Sequence, residues 1–217
     1  TQSAMLEAMQ ERSVTLLGET RPLPEPFFVL ASQNPIELEG TYPIPEAQLD
    51  RFLFKLQIGS VGADTLTKII VRDRRGELPQ PNWCLSRAEL EQLFAVMDRI
   101  YLSCPVAAYI GRLVAASHPD APAPLETVTR YVTYGASPRA AIGMAEAARA
   151  AALLCGRPAV GFEDVRMVAP AVLNHRIILN YQARLDKISS ADITAELLAK
   201  IDPAGIDWPS ELEPRRS

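Results

Sequence analysis

Three polar side chains in this sequence occur where a ligand could reach them. Asn34 follows the apolar run FFVLA, Arg51 precedes the apolar run FLF, and Arg139 lies in the first turn of a predicted helix. Such runs, bounded by Gly and Pro, are typical of strands buried in a parallel sheet, and open α/β sheets bind ligands at their strand ends. We interpret Asn34 as facing a ligand and Arg51 as presented at an edge. Because Arg139 opposes the helix dipole, it indicates an anionic partner.

Each of these residues also has a structural explanation that its spacing does not exclude. Asn34 could be a polar turn residue that Pro35 holds in extended geometry. Arg51 could be a surface arginine paired with Asp50, and Arg139 could be a solvated arginine. On spacing alone, both interpretations of each residue stay open.

The elements that must position these residues fall into an α/β part and a helical part. Residues 1–60 predict a helix, a hairpin over Ser13–Leu23 that turns at Gly18-Glu19, and two apolar strands separated by a short helix. Residues 61–202 predict an all-helical bundle, and residues 203–217 a loose tail. The fold class expected is therefore half of an α/β core followed by a helical domain.

Helix start signals recur through the second part. Ser86 with Glu89 forms a capping-box pattern, and Ser137-Pro138 combines an N-cap with Pro at the first position. Pro170 should kink or interrupt the helix in which it lies. The other predicted helices cover Asp64–Arg75, begin at Cys104 and Phe162, and cover Ser189–Ile201.

Composition limits the class of protein. The chain has 217 residues, 48% hydrophobic and 22% charged, and a net charge of -4, as in ordinary soluble domains. No apolar run approaches the ~20 residues of a membrane span, and no signal peptide opens the chain. Cys84, Cys104 and Cys155 fit neither a disulfide framework nor a metal site and predict reduced core thiols in a cytoplasmic protein. Because the chain begins Thr-Gln-Ser, we expect a fragment whose N-terminal part is missing.

Four segments together resemble the AAA+ ATPases and, within them, the MoxR family. They are TQSAMLEAMQE, PFFVLASQNPIELEGTYPIPEAQLDRF, YGASPRAA and AVLNHRIILNYQA. The second and third are the specific ones, and the resemblance covers roughly residues 1–200. It implies an AAA+ core fragment followed by a helical lid.

The resemblance also implies roles for individual residues. Asn34 would be sensor 1, which orients the attacking water or the γ-phosphate. Arg51 would be the arginine finger, which reaches in trans to the nucleotide of a neighbouring subunit. Arg139 would be sensor 2, the lid arginine that contacts nucleotide phosphate. The hairpin would be the pre-sensor-1 hairpin, which in related machines points toward the pore and the client.

Several other residues receive no catalytic role. Glu46 lies in the same motif as Arg51 without a firm assignment, and His118 is assigned nothing. His175 and Arg176 are interpreted as structural residues of the lid. No residue of this chain is predicted to bind a metal ion.

The sequence lacks two motifs that nucleotide hydrolysis needs. It contains no G-x-x-x-x-G-K-[ST] phosphate loop and no acidic pair at the end of an apolar strand, the groups that hold phosphate and Mg²⁺. ATP and Mg²⁺ are therefore expected to bind the full-length protein, and this fragment alone is predicted to be inactive.

The resemblance implies an ATP hydrolase that remodels protein clients in a chaperone-like way. A finger acting in trans implies a ring of identical subunits, with six the usual number in the family, and a partner with a von Willebrand factor A domain is possible. A magnesium-chelatase-like or MCM-like motor is an alternative, although the net charge argues weakly against a nucleic-acid partner. A non-catalytic helical interaction module is another.

Overall fold

The computed structural model describes residues 5, 8–9, 11–33, 44–72 and 81–205. Asn34 lies outside these residues. Residues 5, 8, 9 and 11 are helical, as predicted. The described helices are α1 Glu46–Leu49, α2 Ala63–Arg72, α3 Arg87–Met97, α4 Cys104–Ala116, α5 Glu126–Tyr131, α6 Pro138–Leu154, α7 Phe162–Leu173, α8 Tyr181–Leu185 and α9 Ser190–Lys200; the strands are β1 Ser13–Leu16, β2 Glu19–Pro22, β3 Val132–Tyr134 and β4 Ile178–Leu179.

The predicted hairpin is formed by β1 and β2, but its turn lies one residue earlier than expected. The strands pair antiparallel, and the last pair before the turn is Leu16 with Glu19. The turn residues Leu17 and Gly18 have φ values of 52° and 84°. Positive φ at both central residues is the type I′ geometry that matches strand twist. Leu17 is 99% exposed at the tip.

The two apolar runs predicted as core strands lie outside regular secondary structure. A strand exists only where a neighbour pairs with its backbone groups, and no strand of the described residues lies beside either run. Several of their side chains are correspondingly exposed, Leu30 at 96%, Leu53 at 43% and Phe54 at 41%. Phe28 contacts the ring of Phe94 in α3, with the centroids 6.5 Å apart.

The helical part from residue 100 onward is built around one apolar core. Helices α4, α6, α7 and α9 contribute the fully buried side chains Tyr109, Leu113, Met144, Leu173 and Leu197. The ring of Tyr109 meets that of Phe162 edge to face at 5.6 Å. An apolar core of this size lets the helical part hold neighbouring segments in fixed positions.

The predicted helical bundle also contains a small antiparallel sheet that was not predicted. Strand β3 pairs with β4 through Val132 and Leu179. Asn180 then caps α8 with its side-chain oxygen on Ala183 N and donates to Arg130 O at 2.7 Å. Strands of three and two residues are too short to show a period-two pattern in sequence, which explains why they were not predicted.

Most predicted helix starts are confirmed. Ser86 and Glu89 form the predicted capping box of α3, and Ser189 caps α9 in the same way. Pro170 lies inside α7, which continues to Leu173, so Pro170 does not interrupt the helix; the alternative, a kink at Pro170, stays a prediction. Because Pro lacks an amide hydrogen, it removes only the one bond that position 170 would donate to Arg166 O, and the turns on either side remain.

Two sequence-based expectations concern exposure and membranes. The three cysteines Cys84, Cys104 and Cys155 are free but exposed, so the expectation of core thiols was wrong. Their neighbours in sequence are Trp83, Ser103 and Gly156, and nothing in those positions signals burial. Across the described part of the chain, no helix is long and apolar enough to cross a membrane. The limits of the predicted domains remain predictions.

Candidate functional site

A single carboxylate joins the segment that carries Arg51 to the helical part. Asp50 directly follows α1 as its C-cap residue, and its side chain is 17% exposed. Its Oδ1 accepts from Arg176 Nε at 3.1 Å and its Oδ2 from Arg139 Nη1 at 3.0 Å. The Ser137 hydroxyl lies 2.8 and 3.0 Å from the two oxygens and donates there. We call residues 50–55 the docking segment.

Arg176 holds the docking segment with its whole guanidinium group. Its side chain is 2% exposed, and each of the five N–H groups that arginine offers has an acceptor. Its Nε donates to Asp50 Oδ1. Its Nη1 donates to Leu53 O at 3.2 Å and to Val172 O at 2.5 Å. Its Nη2 donates to Asp50 O at 3.0 Å and to Phe52 O at 2.7 Å. Four of the five bonds therefore end on the docking segment.

Further contacts extend this attachment along α7 and α6. His175 Nε2 lies 3.0 Å from Phe52 O, and the Lys55 amide donates to Ala171 O at 3.0 Å. Leu53 Cδ1 approaches α6 so closely that a Cβ at Gly143 would lie 3.0 Å from it. Backbone, side-chain and apolar contacts thus fix the docking segment against the helical part.

The electrostatics of this junction follow from its burial. Burial is the largest influence on the pKa of Asp50 and acts to raise it, but hydrogen bonds from Ser137 and Arg139 and the charge of Arg176 together lower the pKa below its usual range. Burial lowers the pKa of Arg176, and the Asp50 carboxylate opposes that shift. Burial also lowers the pKa of His175, against the hydrogen bond to Phe52 O and with the repulsion of Arg176. At neutral pH the junction therefore contains a charged Asp50 and a neutral His175.

Arg139 lies in the first turn of α6, as predicted, and its anionic partner within the described residues is Asp50. The guanidinium is 55% exposed, and only Nη1 is bonded to the carboxylate. Its Nη2 makes no hydrogen bond within the described part of the chain. Ser137, the predicted N-cap, precedes α6 in extended geometry but makes no side-chain cap bond, because its hydroxyl is used by Asp50.

The loop that leads into α6 is also held in place. Ser117 Oγ accepts from Ala136 N at 2.9 Å, and His118 Nε2 lies 3.0 Å from Ala136 O. Gly135 is required here, since a Cβ would lie 2.6 Å from His118 Cγ. Contacts to the amide and the carbonyl of Ala136 thus fix the loop just before the helix that carries Arg139.

Arg51 lies between the two residues that the helical part grips. Its amide donates to Gln48 O at 3.3 Å, and its Nε is buried without a hydrogen-bond partner within the described residues. Asp50 is not paired with Arg51, as one interpretation of the sequence had it, but with Arg139 and Arg176. The structure therefore connects Arg51 and Arg139 through one residue.

Sequence reasoning missed Asp50 and underestimated Arg176. Asp50 stands inside the ungapped motif PEAQLDRF, where it was considered only as a partner of Arg51. Arg176 follows His175 at the end of α7, 126 positions from Asp50. A basic residue beside an apolar helix, with no acidic residue near it in sequence, indicates a buried ion pair. The sequence alone does not identify the acidic partner.

The junction presents the positively charged side chain of Arg139 where an anionic ligand could reach it. Arg139 is half exposed with a free Nη2, and a planar guanidinium matches phosphate oxygens. The described residues therefore fit the groups that assist at a nucleotide phosphate. They include no cluster of three or more His, Cys, Asp or Glu able to hold a metal ion.

Two family models match the chain in the order predicted. The model described as the ATPase family associated with various cellular activities matches residues 1–54, and the AAA lid domain matches residues 126–197. The predicted fold class, part of an AAA+ α/β core followed by a helical lid, is confirmed by these matches and by the predominantly helical structure.

Individual relatives agree with the family models. The chain is 42% identical over 200 residues to chaperone MoxR1 of Mycobacterium tuberculosis, covering 92% of this chain and 53% of the relative. It is 36% identical to YeaC of Bacillus subtilis, covering 93% and 60%, and 31% identical to protein MoxR of Paracoccus denitrificans, covering 88% and 60%. The chain thus spans a little over half the length of these relatives.

A solved structure gives the same result in three dimensions. The crystal structure of a protein assigned as an ATPase from Cytophaga hutchinsonii superposes with a TM-score of 0.83 at 39% identity. The match covers 93% of this chain and 61% of that chain. Sequence, fold and family models therefore agree that this chain belongs to the MoxR family of AAA+ ATPases.

Proposed function

We propose that this chain is the part of a MoxR-type ATPase that assists phosphoryl transfer and couples it to the remodelling of protein clients. The observation that supports this most is the junction at Asp50, which connects Arg51 to the half-exposed Arg139 and fixes both on the lid. Phosphoryl transfer needs positioned positive charge more than covalent chemistry, and this junction positions two arginines.

Arg139 acts as the sensor 2 residue of its own subunit. Its Nη1 is kept in place by Asp50 and its Nη2 is free to meet a phosphate oxygen. Because the group is held at one end, less side-chain freedom is lost when phosphate binds. Asn34, which lies outside the described residues, is proposed as sensor 1, since a neutral amide orients water without adding charge.

Arg51 acts as an arginine finger in trans. A finger directed at a neighbour requires head-to-tail contacts, which close into a ring of identical subunits when the rotation permits. We propose a ring, with six subunits as in the family, in the cytoplasm. A partner with a von Willebrand factor A domain is proposed on the family resemblance alone.

The finger assignment is tested on the full-length protein with Arg51→Ala. Arginine fingers are worth roughly 10³–10⁵ in rate in other NTPases, so ATP turnover should be lost while the Kd for ATP in the monomer stays close to wild type. Equal loss of ATP affinity in a monomeric preparation would refute a role in trans.

The sensor 2 assignment is tested with Arg139→Ala in the same protein. Removing a phosphate contact should raise the Kd for ATP, because the guanidinium no longer meets the nucleotide. Arg184→Ala, which removes another exposed arginine of the lid, is the matched control and should leave the Kd unchanged. An Arg139→Ala protein with wild-type affinity and turnover would refute the assignment.

The 217-residue chain itself should bind ATP poorly. It contains no phosphate loop, and the arginines described here only assist at a phosphate held by other groups. Isothermal titration of Mg-ATP into this chain should give no measurable binding at micromolar concentrations, and micromolar affinity would overturn this expectation.

A further inference from the structure

Arg176 is placed to set the geometry of Arg51. It is buried, it is absent from the predicted phosphate-contacting groups, and four of its five hydrogen bonds end on Asp50, Phe52 and Leu53. We infer that Arg176 is the positioning residue of the arginine finger, so that the lid of one subunit determines how well that subunit completes its neighbour's site. This inference rests on the proposed role of Arg51.

The hydrogen bonds fix the backbone on both sides of the finger. Arg176 Nη2 donates to Asp50 O and to Phe52 O, and the Phe52 amide donates to Leu49 O at 3.1 Å. Because each peptide group is planar, these bonds hold the three consecutive peptide planes around Arg51. The direction of its Cα–Cβ bond follows from those planes.

Only a guanidinium can make this set of contacts. Arginine presents five donors in a rigid planar fork, whereas the ammonium of lysine is a point charge with three donors. A lysine at position 176 could keep the ion pair with Asp50 but could not reach the carbonyls of Asp50, Phe52 and Leu53 together. Arg176→Lys therefore removes the positioning while it preserves the charge.

His175 adds an independent contact to the same backbone. Its Nε2 lies 3.0 Å from Phe52 O, the same oxygen that receives Arg176 Nη2. Two consecutive residues at the end of α7 thus converge on the carbonyl that follows Arg51 by one residue. Loss of either contact should loosen the finger, and the loss of Arg176 should do so more.

The test uses ATP turnover of the full-length protein. Arg176→Lys should lower turnover by about 10²-fold, as a misplacement of ~1 Å can, with the Kd for ATP unchanged. Arg130→Lys, at an exposed lid arginine that pairs with Asp186, is the matched control and should keep full turnover. An Arg176→Lys protein with wild-type turnover would overturn the inference.

Mixed assemblies show which site Arg176 serves. At an ATP concentration that leaves Arg139→Ala sites mostly empty, Arg176→Lys subunits mixed with equal amounts of Arg139→Ala subunits should regain turnover, because about one interface in four then joins an intact finger to an intact sensor 2 site. Mixed with Arg51→Ala subunits they should regain none. Recovery of turnover with Arg51→Ala, or a failure to recover turnover with either variant, would overturn the inference.

A third mixture separates the inference from the proposed function. Arg51→Ala and Arg139→Ala subunits should complement each other if the finger acts in trans; if they do not, the proposed function fails. If Arg176→Lys does not fold, His175→Ala replaces it in the same mixtures with a smaller loss of turnover. Complementation of His175→Ala by Arg139→Ala supports the inference, and its absence overturns it.

Discussion

Two arginines share the Asp50 carboxylate, and replacing each by methionine should have very different effects on stability. The Arg176 side chain is 2% exposed and the Asp50 side chain 17%, whereas that of Arg139 is 55% exposed. Removing one partner of a buried ion pair costs about 3–5 kcal/mol, and the loss of Arg176 also removes the donor to the carbonyls of Asp50, Phe52 and Leu53. An exposed pair contributes about 0–1 kcal/mol. Arg176→Met should therefore destabilise the junction by several times more than Arg139→Met.

The Lys55 amide gives a local reading of this difference. It is bonded to Ala171 O across the junction, so its hydrogen exchange reports the opening of the docking segment. Since ~1.4 kcal/mol corresponds to a factor of ten, Arg176→Met should speed exchange by about 10²- to 4 × 10³-fold. Arg139→Met should change exchange by less than about fivefold. Equal effects of the two variants would refute the assignment of Arg176 as the buried partner.

The remaining predictions concern pH and packing. The pKa of His175 is lowered from its ordinary value of 6.5. The contribution of the neutral His175 to the free energy of unfolding is therefore complete above pH 6.5 and is lost as the pH falls through the lowered pKa. His175→Gln should flatten that part of a pH profile measured by urea denaturation. The pKa of Asp50 is lowered from 3.8, so its contribution persists down to about pH 4 and is lost below it; Asp50→Asn should be destabilised at neutral pH and should lack this acid step. Gly135→Ala should lose about 1–3 kcal/mol by overpacking, because its Cβ would lie 2.8 Å from the His118 backbone nitrogen. Gly111→Ala, where nothing lies within 4 Å, should gain about 0.5–1 kcal/mol as helix propensity improves, and the opposite order of thermal midpoints would contradict both.

Local signals in the sequence predicted most of the helices. Ser86 with Glu89, and Ser189 before α9, satisfy backbone groups within their own turn, so their patterns are complete in a short window. The start of α6 at Pro138 was predicted because Pro at the first helical position is also a local signal, although Ser137 makes no cap bond. The hairpin was displaced by one residue because its turn places Leu17 at positive φ, a conformation that a leucine does not announce.

The junction could not be predicted because its partners are far apart in the chain. Asp50 and Arg176 are separated by 126 positions, and no local pattern connects them. Ser137 was correctly placed at a helix start, yet its hydroxyl is used by Asp50 rather than by α6. The resemblance to a family supplied candidate roles for Arg51 and Arg139. The residue that connects them required the structure.

In the proposed mechanism, the full-length protein hydrolyses ATP with Arg51 supplied by a neighbouring subunit. Turnover per subunit should therefore be measured as a function of protein concentration, with assembly followed in parallel by light scattering. Turnover per subunit should rise together with assembly, and Arg51→Ala should assemble equally well but stay inactive. Turnover that is independent of concentration in a wild-type monomer would rule out a finger supplied in trans.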